Sequence, residues 1–205
     1  MGKTRNLERM VLGPEHNGMR MTPEEFDAVE DWDECYSYEL VEGVVVVSPP
    51  PAESERGPNE DLGHLLLNYR DGHPKGSSLD ATLPEHLVRT PRSRRRADRV
   101  IWAGLGRQPR ARDDVPAIVI ELVSPGRRSW KRDYVERRDE YFALGSREYW
   151  INDRFQRILT VYKRWKGKQT EKVISEKETY QTDLLPGFEL PVGRVLAVAD
   201  RWEES

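Results

Sequence analysis

Two acids near the middle of the chain have the types and spacing to do chemistry together. Asp98 opens DRVIWAG (98–104) and Glu121 interrupts PAIVIELVS (116–124). Both runs are short, rich in β-branched residues and bounded by Gly, Pro or Arg, which is the pattern of buried strands. A carboxylate on a buried strand costs free energy unless it is paired, protonated or bound to a metal. Two of them on successive strands suggest one divalent-cation site. Mg²⁺ takes oxygen ligands, commonly one or two carboxylates completed by water and substrate phosphate. Such an ion polarises a phosphoryl oxygen and acidifies a bound water. Internal salt bridging is the competing reading, because Arg92, Arg94, Arg95, Arg96 and Arg99 crowd the first acid. The same arginines would also suit backbone phosphates.

Charge along the chain favours an anionic partner. The formal net charge of -3 conceals three unlike segments. Residues 1–88 carry 7 Lys and Arg against 18 Asp and Glu, while residues 89–138 carry 15 against 6. The remainder is almost balanced, with 11 against 12. An acidic body with one basic block, the block that contains both acids, fits a localised anion-binding face. A merely solvated arginine-rich surface would look the same. The one cysteine, Cys35, rules out an internal disulfide or a cysteine-based zinc cage and suits a reducing cytoplasm. No stretch has the length of a signal peptide core or a membrane span, so a cytoplasmic protein is expected. Gly2 resembles the start of a myristoylation signal, but Asn6 stands where Ser or Thr is needed.

The elements that must position the acids follow from local pattern. Residues 1–20 lack periodicity and read as a loose arm; 200–205 read as a tail, leaving 21–199 as a single domain. Thr22-Pro23-Glu24-Glu25 is a helix start. YSYELVEGVVVVSPPP (36–51) predicts a β-hairpin turning at Glu42-Gly43. NEDLGHLLLNYR (59–70) predicts an amphipathic helix capped by Asn59. Strand-like pieces follow at about 78–90, then the two acid-bearing strands. WKRDYVERRDEYFALGS (130–146) predicts a helix stopped by Gly145. REYWIND (147–153), RILTVYKRW (157–165) and a piece near 169–181 read as strands, before a turn and a short closing helix in LPGFELPVGRVLAVAD. Strand–helix–strand over 117–151 implies an α/β architecture around a mixed sheet.

Other chemistry-bearing residues point elsewhere. Ser124 has no His near it in sequence and reads as a turn cap rather than a nucleophile. His16, His64, His73 and His86 lack metal-ligand spacing. Trp130, Tyr134 and Tyr141 could stack on bases, although aromatics at helical spacing usually pack in a core. Tyr149-Trp150 reads as packing. Arg127, Arg128, Lys131 and Arg132 line the start of the helix after Glu121, a position favourable to anions.

The order ELVEG, VSPP, R-x-A-D-R-V-I, IVIELVSP, RDYVERRDEYFALGSREYWIND and LPGFELP resembles the Uma-type restriction-endonuclease-like family of the PD-(D/E)XK nuclease superfamily. The likeness runs from about Met21 to Val198. It implies a restriction-endonuclease-like fold, a central mixed β-sheet flanked by helices with an N-terminal β-hairpin. It also implies a nuclease activity with Mg²⁺, or Mn²⁺ in its place, on DNA, and a homodimer of the kind used to cut both strands. Asp98 takes the place of the first motif acid, after Ala97 instead of Pro. Glu121 takes the second, and Glu39 matches a further acid that would ligate the ion or orient its water. The superfamily lysine would stand at Val123, and a helical lysine of the family would stand at Arg137. Arg137 or Lys131 would then stabilise the attacked phosphate, with Arg94, Arg95, Arg96, Arg127, Arg128 and Arg132 holding nucleic acid. Arginine stays protonated and cannot serve a step that needs proton release. A catalytically impaired nucleic-acid-binding module on a nuclease scaffold is therefore the second expectation. Asn59, where relatives often carry His, is a further departure.

Overall fold

Thr22 starts the first helix as its sequence predicts. Its Oγ1 accepts the Glu25 N–H at 3.1 Å while Glu25 Oε2 accepts the Thr22 N–H at 2.7 Å, closing a capping box on α1 (Pro23–Asp27). The structure, a computed structural model, describes residues 10–124 and 132–202, with the backbone alone at Arg132 and Asp133. The chain groups into two compact units where the sequence reads as one domain. One contains residues up to 51 together with 87–96; the other contains 52–86 and the chain from 97 onward.

The first unit is built on the hairpin. Strands β3 (Ser37–Val41) and β4 (Val44–Ser48) pair antiparallel across the Glu42-Gly43 turn, where φ is 49° and 78°. Two consecutive left-handed residues are what a tight hairpin turn requires, and Gly supplies one of them without strain. Residues 10–20 are not the loose arm expected. Strand β1 (Val11–Leu12) pairs in parallel with β2 (Asp31–Trp32), and Leu12 is fully buried with Met21, Phe26, Tyr38, Leu40 and Val45. Burial of Leu12 is enough to pin the segment.

The second unit carries the large sheet. After β5 (Leu79–Arg89) and β6 (Arg94–Ala103) come β7 (Ile118–Leu122), β8 (Glu148–Asp153), β9 (Ile158–Trp165) and β10 (Lys168–Ser175). Within it the strands run in the order β10-β9-β8-β7-β6, with β5 also paired to β6. In that order β7 and β8 run parallel, while β10–β9, β9–β8 and β7–β6 run antiparallel. Parallel neighbours need a crossover, here a π-helical turn (Arg132–Arg137) leading into α3 (Arg138–Leu144). Gly145 ends it at φ 118°.

Alternation along the strands fixes the two faces of this sheet. Ile101, Ile118, Ile120, Trp150, Leu159 and Val161 pack with Leu62 and Leu66 of α2 (Glu53–Gly72) and Val195 and Leu196 of α4 (Val192–Asp200). Tyr149, next to Trp150, points to the opposite face and meets Tyr141 of α3. Helix α2 begins six residues before the expected cap. Glu55 reaches back to the Ala52 N–H at 3.2 Å and starts the helix there, so Asn59 lies inside it and is buried. Short strands β11 (Thr179–Tyr180) and β12 (Leu190–Pro191) pair antiparallel ahead of α4. Among the described residues no helix is long and apolar enough to cross a membrane.

Candidate active site

The two sequence-predicted acids meet on the α3 face of the sheet. Strands β6 and β7 pair with Arg99 opposite Ile120 and Val100 opposite Val119. One more step of that register sets Asp98 opposite Glu121. The ladder stops short of this pair, and the Asp98 side chain replaces it: Oδ2 accepts the Leu122 N–H at 2.5 Å. Like charges in directly opposed positions repel. The Asp98 carboxyl is accordingly held well above the usual aspartate range, first by burial and then by the charge of Glu121, with Glu85 adding to it. The Leu122 N–H and the more distant Arg137 guanidinium pull the other way without winning.

Glu121 is handled differently. It is 2% exposed, and Oε2 forms an ion pair with Arg137 Nη1 at 2.5 Å. The Tyr141 hydroxyl donates to Oε1 at 3.1 Å. Arg137 and Tyr141 stand four residues apart, so both fall on the face of the helical segment turned toward the strand. Arg137 is itself only 4% exposed. Two crowded carboxylates are thus relieved by two means, a proton favoured on Asp98 and a guanidinium on Glu121.

Several other sequence-predicted residues have roles of their own. Glu39, in the first unit, is buried, and its Oε1 accepts the Arg96 N–H at 2.7 Å. Arg94 is not open to a ligand. Its guanidinium bonds Asp27 at 2.8–3.0 Å and the carbonyls of Thr90 and Ser93, all inside the first unit. Arg95 is 1% exposed, and a side chain so enclosed cannot present charge to a polymer. Arg96 is half-buried. Arg127, Arg128, Trp130 and Lys131 lie outside the described residues, as does the side chain of Arg132. Val123, in the place of the superfamily lysine, is buried.

Arg99 shows why sequence adjacency misled. One residue after Asp98, it points to the other face, toward α2. Its Nε donates to Asn59 Oδ1 at 2.7 Å and its Nη2 to the Asn59 carbonyl at 2.8 Å. The guanidinium fills the space above Gly63, where an added Cβ would come within 2.6 Å of Nη2. Asn59 Nδ2 also donates to the Asp98 carbonyl at 2.7 Å, tying α2 to the strand that carries the acid. Asn59 is therefore a brace rather than a helix cap.

Sequence reasoning missed two contributors. Tyr141 was legible only as an aromatic at helical spacing, yet its hydroxyl is a ligand of Glu121. Glu85 sits in β5 with a left-handed backbone, φ 48°, and supplies a third negative charge near Asp98. A Pro-Glu step inside a strand, at Pro84-Glu85, is the signal that could have marked it. The buried Tyr134 hydroxyl donates to Asp153 Oδ2 at 3.1 Å and anchors the π-helical turn to the end of β8. Burial and that carboxylate raise its pKa strongly.

Among the described residues no three Asp, Glu, His or Cys side chains assemble in metal-ligand geometry. The Asp98–Glu121 pair alone matches the chemistry of a Mg²⁺ ion that takes two carboxylates and completes its shell with water and phosphate. The fit is one of charge as well: a divalent cation would relieve the repulsion now visible in Asp98.

A family model described as "Uma2: Putative restriction endonuclease" matches residues 23–193. A solved structure from Anabaena variabilis ATCC 29413, described as "a putative nuclease belonging to DUF820", aligns with a TM-score of 0.68. It shares 12% sequence identity and covers 87% of this chain and 99% of that one, a likeness of fold. No curated protein matches.

Proposed function

The chain belongs to the Uma2 restriction-endonuclease-like family, and we propose that it is a Mg²⁺-dependent nuclease hydrolysing phosphodiester bonds in DNA. The observation that carries this reading is the cross-strand placement of Asp98 and Glu121, with the Asp98 carboxyl biased toward its protonated form by burial and by the neighbouring charge. Asp98 and Glu121 would hold the ion, with Mn²⁺ able to substitute. When bound, such an ion supplies polarisation of a phosphoryl oxygen and a water of lowered pKa. Tyr141 fixes the orientation of Glu121 through its hydroxyl. Arg137, released from Glu121, would meet a phosphate oxygen and stabilise the charge that develops there. It cannot take or give the proton. Lys131 is the nearest lysine in sequence for a role of that kind. A homodimer would let two such sites cut both strands.

The test is cleavage of plasmid and single-stranded DNA by the wild type and by Asp98→Ala, with Mg²⁺, with Mn²⁺ and with EDTA. The wild type is expected to cut only with a divalent cation, and the variant not at all. Equal, metal-independent cutting by both proteins would refute the proposal.

A second reading has its own observation. The ion pair between Arg137 and Glu121, together with buried Val123 in the place of the lysine, suits a binding module that no longer cuts. DNA binding that weakens steeply with salt, without cleavage in Mg²⁺ or Mn²⁺, would select it.

A further inference from the structure

The arginines that the sequence offers as a nucleic-acid face are partly consumed inside the fold, and a different cationic surface stands open. Strands β9 and β10 form a hairpin whose tip reads KRWKGK (163–168). From Lys163 to Lys172 there are five Lys and Arg and a single acid, Glu171. The turn at Lys166-Gly167 has φ 47° and 78°, a tight reversal between the two strands. Trp165 is 67% exposed, and the Lys166 ammonium lies 5.9 Å from its ring centre.

Register sorts these side chains. Trp165 pairs with Lys168, Lys163 with Thr170, and Val161 with Lys172. Alternation places Lys163, Trp165, Lys168 and Lys172 on one face and Arg164 and Glu171 on the other. Lys163 is committed, 3.1 Å from Glu148 Oε1, and Lys172 lies near Glu178. Lys166 and Lys168 make no ion pair among the described residues. Lysines on an edge strand also discourage edge-to-edge pairing, and β10 is an edge of this sheet. That role accounts for the lysines. It does not account for an indole held in water between two of them, because burying such a ring is worth more than exposing it.

We infer that the β9–β10 tip is a contact for an unpaired nucleic-acid strand, with Lys166 and Lys168 on phosphates and one base stacked on Trp165. Stacking on an exposed aromatic beside cations is how single strands are held without sequence readout, and a base inside a duplex offers no free face. The inference deepens the nuclease reading and rests on it for the choice of polymer.

The experiment is fluorescence anisotropy in EDTA with a fluorescein-labelled single-stranded oligodeoxynucleotide of mixed sequence, beside its duplex, across a salt series. Trp165→Ala should weaken single-strand binding roughly 5- to 100-fold and duplex binding far less. Lys166→Gln with Lys168→Gln should make the slope of log affinity against log salt shallower by about 1.4. All three side chains are exposed, so thermal melting should be unchanged and a folding defect is separable. Binding by the variants within twofold of wild type, or equal loss on duplex and single strand, overturns the inference. Cleavage is scored separately with the wild type in Mg²⁺. Hairpin-dependent binding without cleavage would sink the nuclease reading alone; cleavage with hairpin-independent binding would sink this inference alone.

Discussion

Removing the Arg137 side chain tests how the acid pair is kept in the fold. In Arg137→Met the buried Glu121 carboxylate, 2% exposed, would lose the guanidinium 2.5 Å away and keep the Tyr141 hydroxyl at 3.1 Å. Breaking a buried pair by deleting one partner costs about 3–5 kcal/mol, most of it the penalty of the stranded charge. For a chain of this size each kcal/mol lowers the melting temperature by about 2–4 °C, so the variant should melt roughly 6–20 °C below the wild type. Glu121→Gln in the same background removes the stranded charge and keeps an acceptor for Tyr141. The double variant should therefore recover most of the loss, and the cycle should show strong coupling. Calorimetry or circular dichroism at one pH, in EDTA, measures all four proteins. An Arg137→Met melting point within 2 °C of wild type, or a double variant as unstable as the sum of the singles, would refute the argument.

The acid on the other strand gives a prediction in pH. The Asp98 carboxyl is held above its ordinary 3.8 by burial and by Glu121. Ionising it costs more in the fold than in the unfolded chain, so its contribution to stability falls as pH rises from about 3.8 through the folded-state value. Asp98→Asn, which keeps an acceptor for the Leu122 N–H, should melt above wild type at pH 8 in EDTA and match it near pH 3. Equal melting at both pH values would sink this. Adding Mg²⁺ should raise the melting temperature of wild type and leave Asp98→Asn unmoved; equal responses would remove the ion from the pair. Asn59→Ala strips a partner from buried Arg99 and a tie to the Asp98 carbonyl, and should cost about 3 kcal/mol by denaturant titration. Tyr134→Phe removes the hydroxyl that donates to Asp153 and should cost about 1 kcal/mol; a loss several times larger would mean that the π-helical turn melts.

What was legible in the sequence was whatever local pattern dictates. The Thr22 cap, the Glu42-Gly43 turn, the Gly145 stop and the two β-branched acid strands each announce themselves within a few residues, and the structure has them all. The meeting of Asp98 with Glu121 was legible too, since successive buried strands with one acid each have few places to put them. The fates of the arginines were not. Arg99 and Asp98 are neighbours in sequence, but a strand has a period of two, so they face opposite layers. Arg94 finds Asp27, 67 residues away, and nothing in RSRRRADR signals that partner. The start of α2 was missed because Asn59 looks like a cap, whereas Glu55 had already closed a cap at Ala52, seven residues earlier. Tertiary pairing decides such cases, and single-sequence pattern carries no record of it.

The arrangement around Glu121 sets a condition on any cation that comes to it. Two carboxylates opposed across a strand pair repel, and the fold relieves the repulsion with a favoured proton on Asp98 and Arg137 on Glu121. An ion that takes both oxygens must displace both, so its apparent affinity is the intrinsic one reduced by what it expels. Two consequences separate this view from a vacant, preformed site. Mg²⁺ affinity, read by calorimetry, should strengthen as pH rises and the Asp98 proton is lost more easily. It should strengthen again in Arg137→Met, because the competing guanidinium is gone, even though that protein is less stable. Tighter Mg²⁺ binding in a destabilised variant is an outcome that a guanidinium needed to build the cation site would forbid; weaker binding in Arg137→Met would mean that Arg137 helps to form that site rather than competing for it.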